Sequence, residues 1–312
     1  MRCKTWILAL ACLAGICIAV DRVFTEIIIF RDPSQDGARI KHLCEDNSED
    51  IPIFGPSKAH GNYSPNDMGI KAYNYGFNGA SYEVVDTFLQ IELAKPRTTP
   101  IIIELQHRDT GILGEKSQFI PFASDPRFQP LLKKFNAMSW RYHFPGIRYF
   151  GYYDFILSTY LSGCFHVSKM SQGFGELVRT PPFNRAQLDQ YIRERLAYQN
   201  GYYPDEDQNR RFIAHIKGHP QRLFFLVVSP YHPSYYANFE NEDKFEAYKK
   251  ELAAIPNVVV IDWGKLDYPD EYFLDTLHLR RGAAAIFSRQ LGNKIREVLE
   301  KRKQQPPNTA AN

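Results

Sequence analysis

Short, largely apolar runs recur along the chain at Ile51–Phe54, Pro100–Leu105, Arg222–Val228 and Asn257–Ile261, each followed by a turn former or a polar break. None alternates between polar and apolar positions, so they predict strands covered on both faces, as in a parallel sheet. A shorter run, Lys71–Tyr75, reads as a further strand. Between the strands the apolar period lengthens. Val84, Val85, Phe88, Leu89, Ile91 and Leu93 predict a helix from Ser81 that ends before Pro96. Helices are likewise expected at Asp243–Ala254 and at Arg281–Lys303, the latter with Phe287, Leu291, Ile295 and Leu299 on its apolar side. Strand, helix and strand in succession make a βαβ unit. The expected fold is therefore a three-layer α/β/α sandwich with a mainly parallel central sheet, flavodoxin-like in arrangement. Residues 107–220 are expected to add helical insertions (Arg127–Ala137, Arg185–Gln199, Gln208–His219) rather than a second domain.

The hydrophobic pattern changes character at the N-terminus. Arg2 and Lys4 precede an uncharged run from Trp6 to Val20, which ends at Asp21-Arg22. Basic residues before a short apolar stretch are the layout of an export signal. No small-residue cleavage site follows, and the apolar character resumes at Ile27–Phe30, so residues 1–30 are expected as a signal anchor or a signal peptide. Residues 31–50 are polar and turn-rich and predict a linker. The α/β domain is expected over 51–303 and a disordered tail over 304–312. The body would then be exported, facing the periplasm or the cell exterior, with the membrane as a partner through its N-terminal segment.

Composition narrows the partners. In 312 residues, 44% are apolar and 23% charged, which excludes general disorder. A net charge of +3 without a basic run gives no reason to expect nucleic acid. Aromatic residues at 14% suit stacking on sugars as well as packing in a core. Of five cysteines, only Cys44 and Cys164 lie in the body, and no Cys/His set has zinc spacing. No metal or cofactor is expected.

The candidate chemistry sits where the pattern breaks. Gly55-Pro56 stops the Ile51–Phe54 run, because proline donates no N–H to a ladder, and Ser57 follows directly. A serine just past the carboxyl end of a strand stands at the crevice where α/β sheets present their chemistry. Near the other end, Asp275 and His278 lie three residues apart, just before the closing helix. A carboxylate at that spacing can hold an imidazole in one tautomer and stabilise it once protonated. Taken alone, such a pair is also what a capped surface loop presents.

The order of these blocks carries more than any one of them. Gly55-Pro-Ser-Lys-Ala59 after the first strand, Asn74-Tyr-Gly-Phe-Asn-Gly79 after the second, Ile-Ile-Glu-Leu in the third and Asp-X-X-His before the last helix resemble the SGNH (GDSL-like) hydrolase superfamily. In detail the chain looks most like membrane-anchored bacterial SGNH-like proteins found with cell-surface polysaccharide genes. The resemblance spans residues 51–300 and is thin between 110 and 220. It implies Ser57 as nucleophile, His278 as base and Asp275 as its partner, with the amides of Ser57 and Gly79 receiving an oxyanion. It further implies a serine esterase or O-acyltransferase acting on acyl esters, acetyl foremost, of an extracytoplasmic glycan. The chain departs from the pattern in one block, where Glu104-Leu-Gln-His-Arg-Asp109 puts Arg108 at the position of the usual oxyanion asparagine. Asn78, Gln106 or His107 are alternative donors. His60, His107 and His232 are expected near substrate. A non-catalytic scaffold or glycan-binding subunit of a surface-polysaccharide assembly is the competing expectation, with other assembly proteins as partners.

Overall fold

The computed structural model describes residues 2–304, except 33–34, 110, 166–167, 172, 178–181, 197–199 and 238. The proposed tail at 304–312 thus lies, but for its first residue, outside the described residues. Five parallel strands form the central sheet: β1 Ile51–Phe54, β2 Ala72–Asn74, β3 Ile101–Glu104, β4 Phe224–Val228 and β5 Val258–Asp262. Their order across the sheet is β2-β1-β3-β4-β5, with every pairing parallel. The carboxyl ends of β1 and β3 therefore lie side by side near the middle of one edge.

The continuous apolar runs have the cause inferred from them, because successive residues of one strand feed two different cores. Ile101 and Ile103 of β3 join Phe224 and Leu226 of β4 on one face. Ile102, Phe225 and Val227 point to the other. The first core is closed by helices Tyr82–Leu93, Glu206–Lys217 and Glu242–Ala253, which supply Phe88, Phe212 and Phe245. The second is closed by Arg281–Gln304, through Ala284, Phe287 and Leu291. The molecule is a three-layer α/β/α sandwich.

Three regions differ from the hydrophobic pattern. The N-terminal helix, α1 (Arg2–Val23), runs on as a π-helical turn, Phe24–Ile29. Phe30 N–H donates to Thr25 O at 2.9 Å, the five-residue spacing of that turn. Residues Lys4–Ile29 together are long and apolar enough to cross a membrane. Within the stretch read as a linker, Asp36–Glu45 forms helix α2, which buries Arg39, Ile40 and Leu43. Its two apolar anchors are too few to outweigh the polar residues around them in a sequence window. Among the insertions, Ser168–Ser171 and Phe174–Leu177 pair as an antiparallel hairpin, and Phe174 is buried in the second core.

Candidate active site

Local sequence explains how Ser57 is presented. After β1 the chain turns at Gly55, whose φ is 151°, and a Cβ there would lie 2.7 Å from both the Ala59 and Glu104 Cβ atoms. Only glycine lets the chain pass that closely to β3. Pro56 follows in an extended conformation, and Ser57 opens helix α3, Ser57–Asn62. The segment after β2 presses on this helix from the side. A Cβ on Gly76 would meet the His60 amide nitrogen and lie 2.8 Å from the Ala59 carbonyl carbon.

Ser57 Oγ lies 2.9 Å from His278 Nε2, across 221 positions of sequence. The second ring nitrogen, Nδ1, is 2.8 Å from Asp275 Oδ2. An ionised carboxylate only accepts, so Nδ1 carries the proton and Nε2 is left to accept from the Ser57 hydroxyl. Asp275 Oδ1 also accepts the backbone N–H groups of Leu277 (2.7 Å) and His278 (2.8 Å). Burial works to raise the Asp275 carboxyl, yet the bond from His278, its charge and the two N–H donors hold it below the ordinary value. The chain of bonds thus ends on a carboxylate that stays ionised.

Asn62 fixes the two parts of this arrangement to each other. Its Oδ1 accepts from Leu279 N–H at 2.9 Å, and its amide donates to Leu277 O at 3.3 Å and Ser229 Oγ at 3.4 Å. Asn62 opens a formal glycosylation sequon, yet it is fully buried and belongs to the support of the site. Asn74 does the same for the opposite side, donating to Ala59 O and Tyr63 O at 2.8 Å while its Oδ1 receives the Gly76 N–H. Behind Ser57 lies a buried ionic cluster. Lys58 Nζ pairs with Glu104 at 3.1 Å, donates to Ser229 O at 2.9 Å and sits 3.0 Å over the Tyr231 ring. Burial lowers Lys58 to about 8, against the raising effect of Glu104. Glu104 accepts further from Tyr63 and from Ser229 Oγ.

The other residues singled out in the sequence occupy varied places. His60 is in α3 with Ser57, and its Nδ1 faces the guanidinium of Arg39 at 2.7 Å. Burial, then the charges of Arg39 and His278, hold His60 well below its ordinary value, so it is a neutral group. Arg39 itself, buried in α2, reaches Gly76 O and Asp36 and is lowered to about 10 by its burial. His232 backs the loop of Asp275, with Nε2 donating to Asp270 at 2.9 Å and its own N–H bonded to Thr276 O at 3.1 Å. His107 is enclosed in the aromatic core, 4.6 Å from Tyr231 and 4.4 Å from Phe245, with no partner for either ring nitrogen among the described residues. Arg108 is exposed and its backbone bridges Tyr203. Asn78 is exposed in the turn after β2, and Gly79 adopts φ 67° in that turn, against Ile112 and Gly114. None of His107, His232, Arg108 and Asn78 bonds Ser57, His278 or Asp275 in the described structure.

No family model matches the chain, and no curated protein matches it. Among solved structures it is similar to a chain described as a "putative platelet activating factor" from Streptococcus pneumonia. The two share 11% identity and a TM-score of 0.38, over 89% of this chain and 99% of that one.

Proposed function

We propose that the chain is a serine esterase or O-acyltransferase of SGNH type that acts on acyl esters, acetyl foremost, of an extracytoplasmic glycan. The observation that carries the reading is the unbroken path of bonds from Asp275 through His278 to Ser57 at the carboxyl edge of β1. Ser57 Oγ attacks the ester carbonyl as its proton passes to His278 Nε2, and Asp275 stabilises the imidazolium. The oxyanion is received by the Ser57 amide, in the first turn of α3 where helix N–H groups lack intrahelical partners, and by Gly79. Collapse expels the sugar alkoxide, which takes the proton from His278. Water or a second sugar hydroxyl then gives its proton to His278 and attacks the acyl-serine. The acyl–Oγ bond breaks, Ser57 Oγ takes the proton back from His278, and the acid or the new ester is released.

The reading includes the division of the chain. Residues 1–30 would be the membrane anchor, followed by a connection that contains α2 and by one α/β domain to residue 303. A second reading, an SGNH-fold scaffold or glycan-binding subunit without turnover, draws on Arg108. It takes the sequence position of the usual oxyanion asparagine and is exposed, and losing one such donor costs about 10²–10³ in rate. A fluorophosphonate probe separates the readings. Labelling of the intact chain that disappears in Ser57→Ala supports the enzyme, whereas no labelling of a folded chain supports the scaffold.

A further inference from the structure

α1 and a loop more than a hundred residues away meet at a height that bears on how the domain sits at a membrane. Gly146 packs on α1 so closely that a Cβ added there would lie 2.8 Å from Cys17 Cβ. One helical turn further on, Asp21 accepts the Gly146 N–H at 3.0 Å and pairs with the Arg148 guanidinium at 2.5 and 2.9 Å. Arg148 also donates to Thr25 at 2.6 Å, and the Thr25 hydroxyl meets Tyr149 OH at 2.8 Å. Phe24 packs its ring on Tyr149 and Tyr153, with centroids about 5 Å apart. This loop therefore wraps the end of α1 through specific contacts.

Depth follows from the helix rise. A bilayer's hydrocarbon layer takes in about 20 helical residues. Counted from Lys4, that layer extends past Cys17 and close to Phe24. The loop resting on Cys17 is thus no higher than the top of the apolar layer. What it exposes fits that position: Trp140, Phe144, Ile147 and Phe150 are 71, 54, 43 and 68% exposed. Tyr142 and Tyr149 are buried beneath them. The backbone suits poor hydration as well, since Gly146 N–H is held by Asp21, Ile147 by Phe144 O and Phe150 by Ile147 O. Asp21, a carboxylate otherwise costly at that depth, is neutralised by Arg148.

We propose that residues 140–150 form an interfacial collar around α1, with Trp140, Phe144, Ile147 and Phe150 inserted at the headgroup–acyl boundary of the bilayer that α1 crosses. Aromatic side chains favour that boundary. The domain is then held to the membrane at two points and cannot swing freely on one helix. The collar rests on the reading of α1 as an anchor, and its test keeps the two apart.

The full chain is reconstituted in phosphatidylcholine–phosphatidylglycerol vesicles, with or without bromine atoms on the upper acyl chain as fluorescence quenchers. Trp6→Phe keeps Trp140 and Trp263, and Trp6→Phe/Trp140→Phe keeps Trp263, which packs on Phe287 inside the domain. The emission of Trp140, taken as the difference between these two proteins, should lose about half its intensity in brominated vesicles, as for an inserted indole. The emission of Trp6, taken as the difference between Trp140→Phe and the same double variant, reports the anchor in the same vesicles. A quenched Trp6 with an unquenched Trp140 overturns the collar and leaves the anchor standing. An unquenched Trp6 overturns the anchor and the collar with it. Should Trp140 escape the bromines but shift to the blue as protein concentration rises, the surface belongs to a second copy and the collar is again wrong.

Discussion

At the scale of single residues, the proposed chemistry depends on three side chains that act as one unit. Ser57→Ala and His278→Ala should each remove nearly all hydrolysis of a nitrophenyl acetate, and the double variant should be scarcely worse. Asp275→Asn should be milder or similar, since it disturbs the charge and tautomer of His278 without removing a reacting atom. Additive losses in the double variant would show that Ser57 and His278 do not share a step. Asn62 offers a different kind of check, because it touches no reacting atom. Its bonds to Leu277 and Leu279 hold the loop of His278 against the helix of Ser57. Asn62→Ala should lower kcat by roughly 10²-fold, the cost of a misplaced catalytic group, while KM stays near its original value. A rise in KM alone would place Asn62 in substrate contact instead.

At the scale of elements, the packing of the β2 turn on α3 carries a sharper expectation. A methyl group on Gly76 would strike the backbone of His60 and Ala59, and main chain cannot rotate away as a side chain can. Gly76→Ala should therefore shift α3 and reduce turnover by about 10²-fold with secondary structure intact by circular dichroism. Unchanged turnover would mean that α3 tolerates displacement. At the far edge of the sheet, Glu92 is fully buried and accepts from Arg97 at 2.6 and 2.7 Å and from Arg222 at 2.7 Å. Burial acts to raise this carboxyl, but the bonds from Arg97 and Arg222, together with Lys95 at 3.0 Å, outweigh it and set it below its ordinary value. A depressed carboxyl gives stability that is present above its unfolded pKa, about 4.3, and lost as pH falls through the lower folded value. Urea melts of the chain should weaken on acidification through that window, and Glu92→Gln should flatten that part of the curve. Removing one partner of such a buried pair should also cost about 3–5 kcal/mol at neutral pH.

The elements show what could be read from residues in a line. β1, β3, β4 and β5 were legible because a strand covered on both faces leaves an unbroken apolar run. Ser57 and the Asp275–His278 pair were legible as candidates because a strand break and a fixed spacing are local features. Asn62, Lys58 and Arg39 were not. Each is a polar residue whose burial depends on partners elsewhere in the chain, Ser229 for Lys58 and Gly76 for Arg39. Helix α2 escaped for a related reason, since Ile40 and Leu43 matter only against the packed domain. The position of Gly76, rather than Gly79, against α3 likewise needs the third dimension.

At the scale of the whole molecule, α1 stands out from the domain with Trp6, Leu10 and Leu13 exposed, an arrangement that water alone would not favour. Under the proposed anchoring, the chain should remain with the membrane through an alkaline carbonate wash, and its N-terminus should lie before residue 20. A soluble product that begins after about residue 20 would reject the anchor and leave export intact. One feature of the architecture also sets a schedule. All five strands and Ser57 precede residue 263, whereas His278 and the helix that closes the second core come after it. A growing polypeptide thus releases its serine 221 positions ahead of its histidine. Under the proposed function, Ser57 would have no base until His278 has emerged and its loop has docked, so the chain would not react with passing esters while it is still being made.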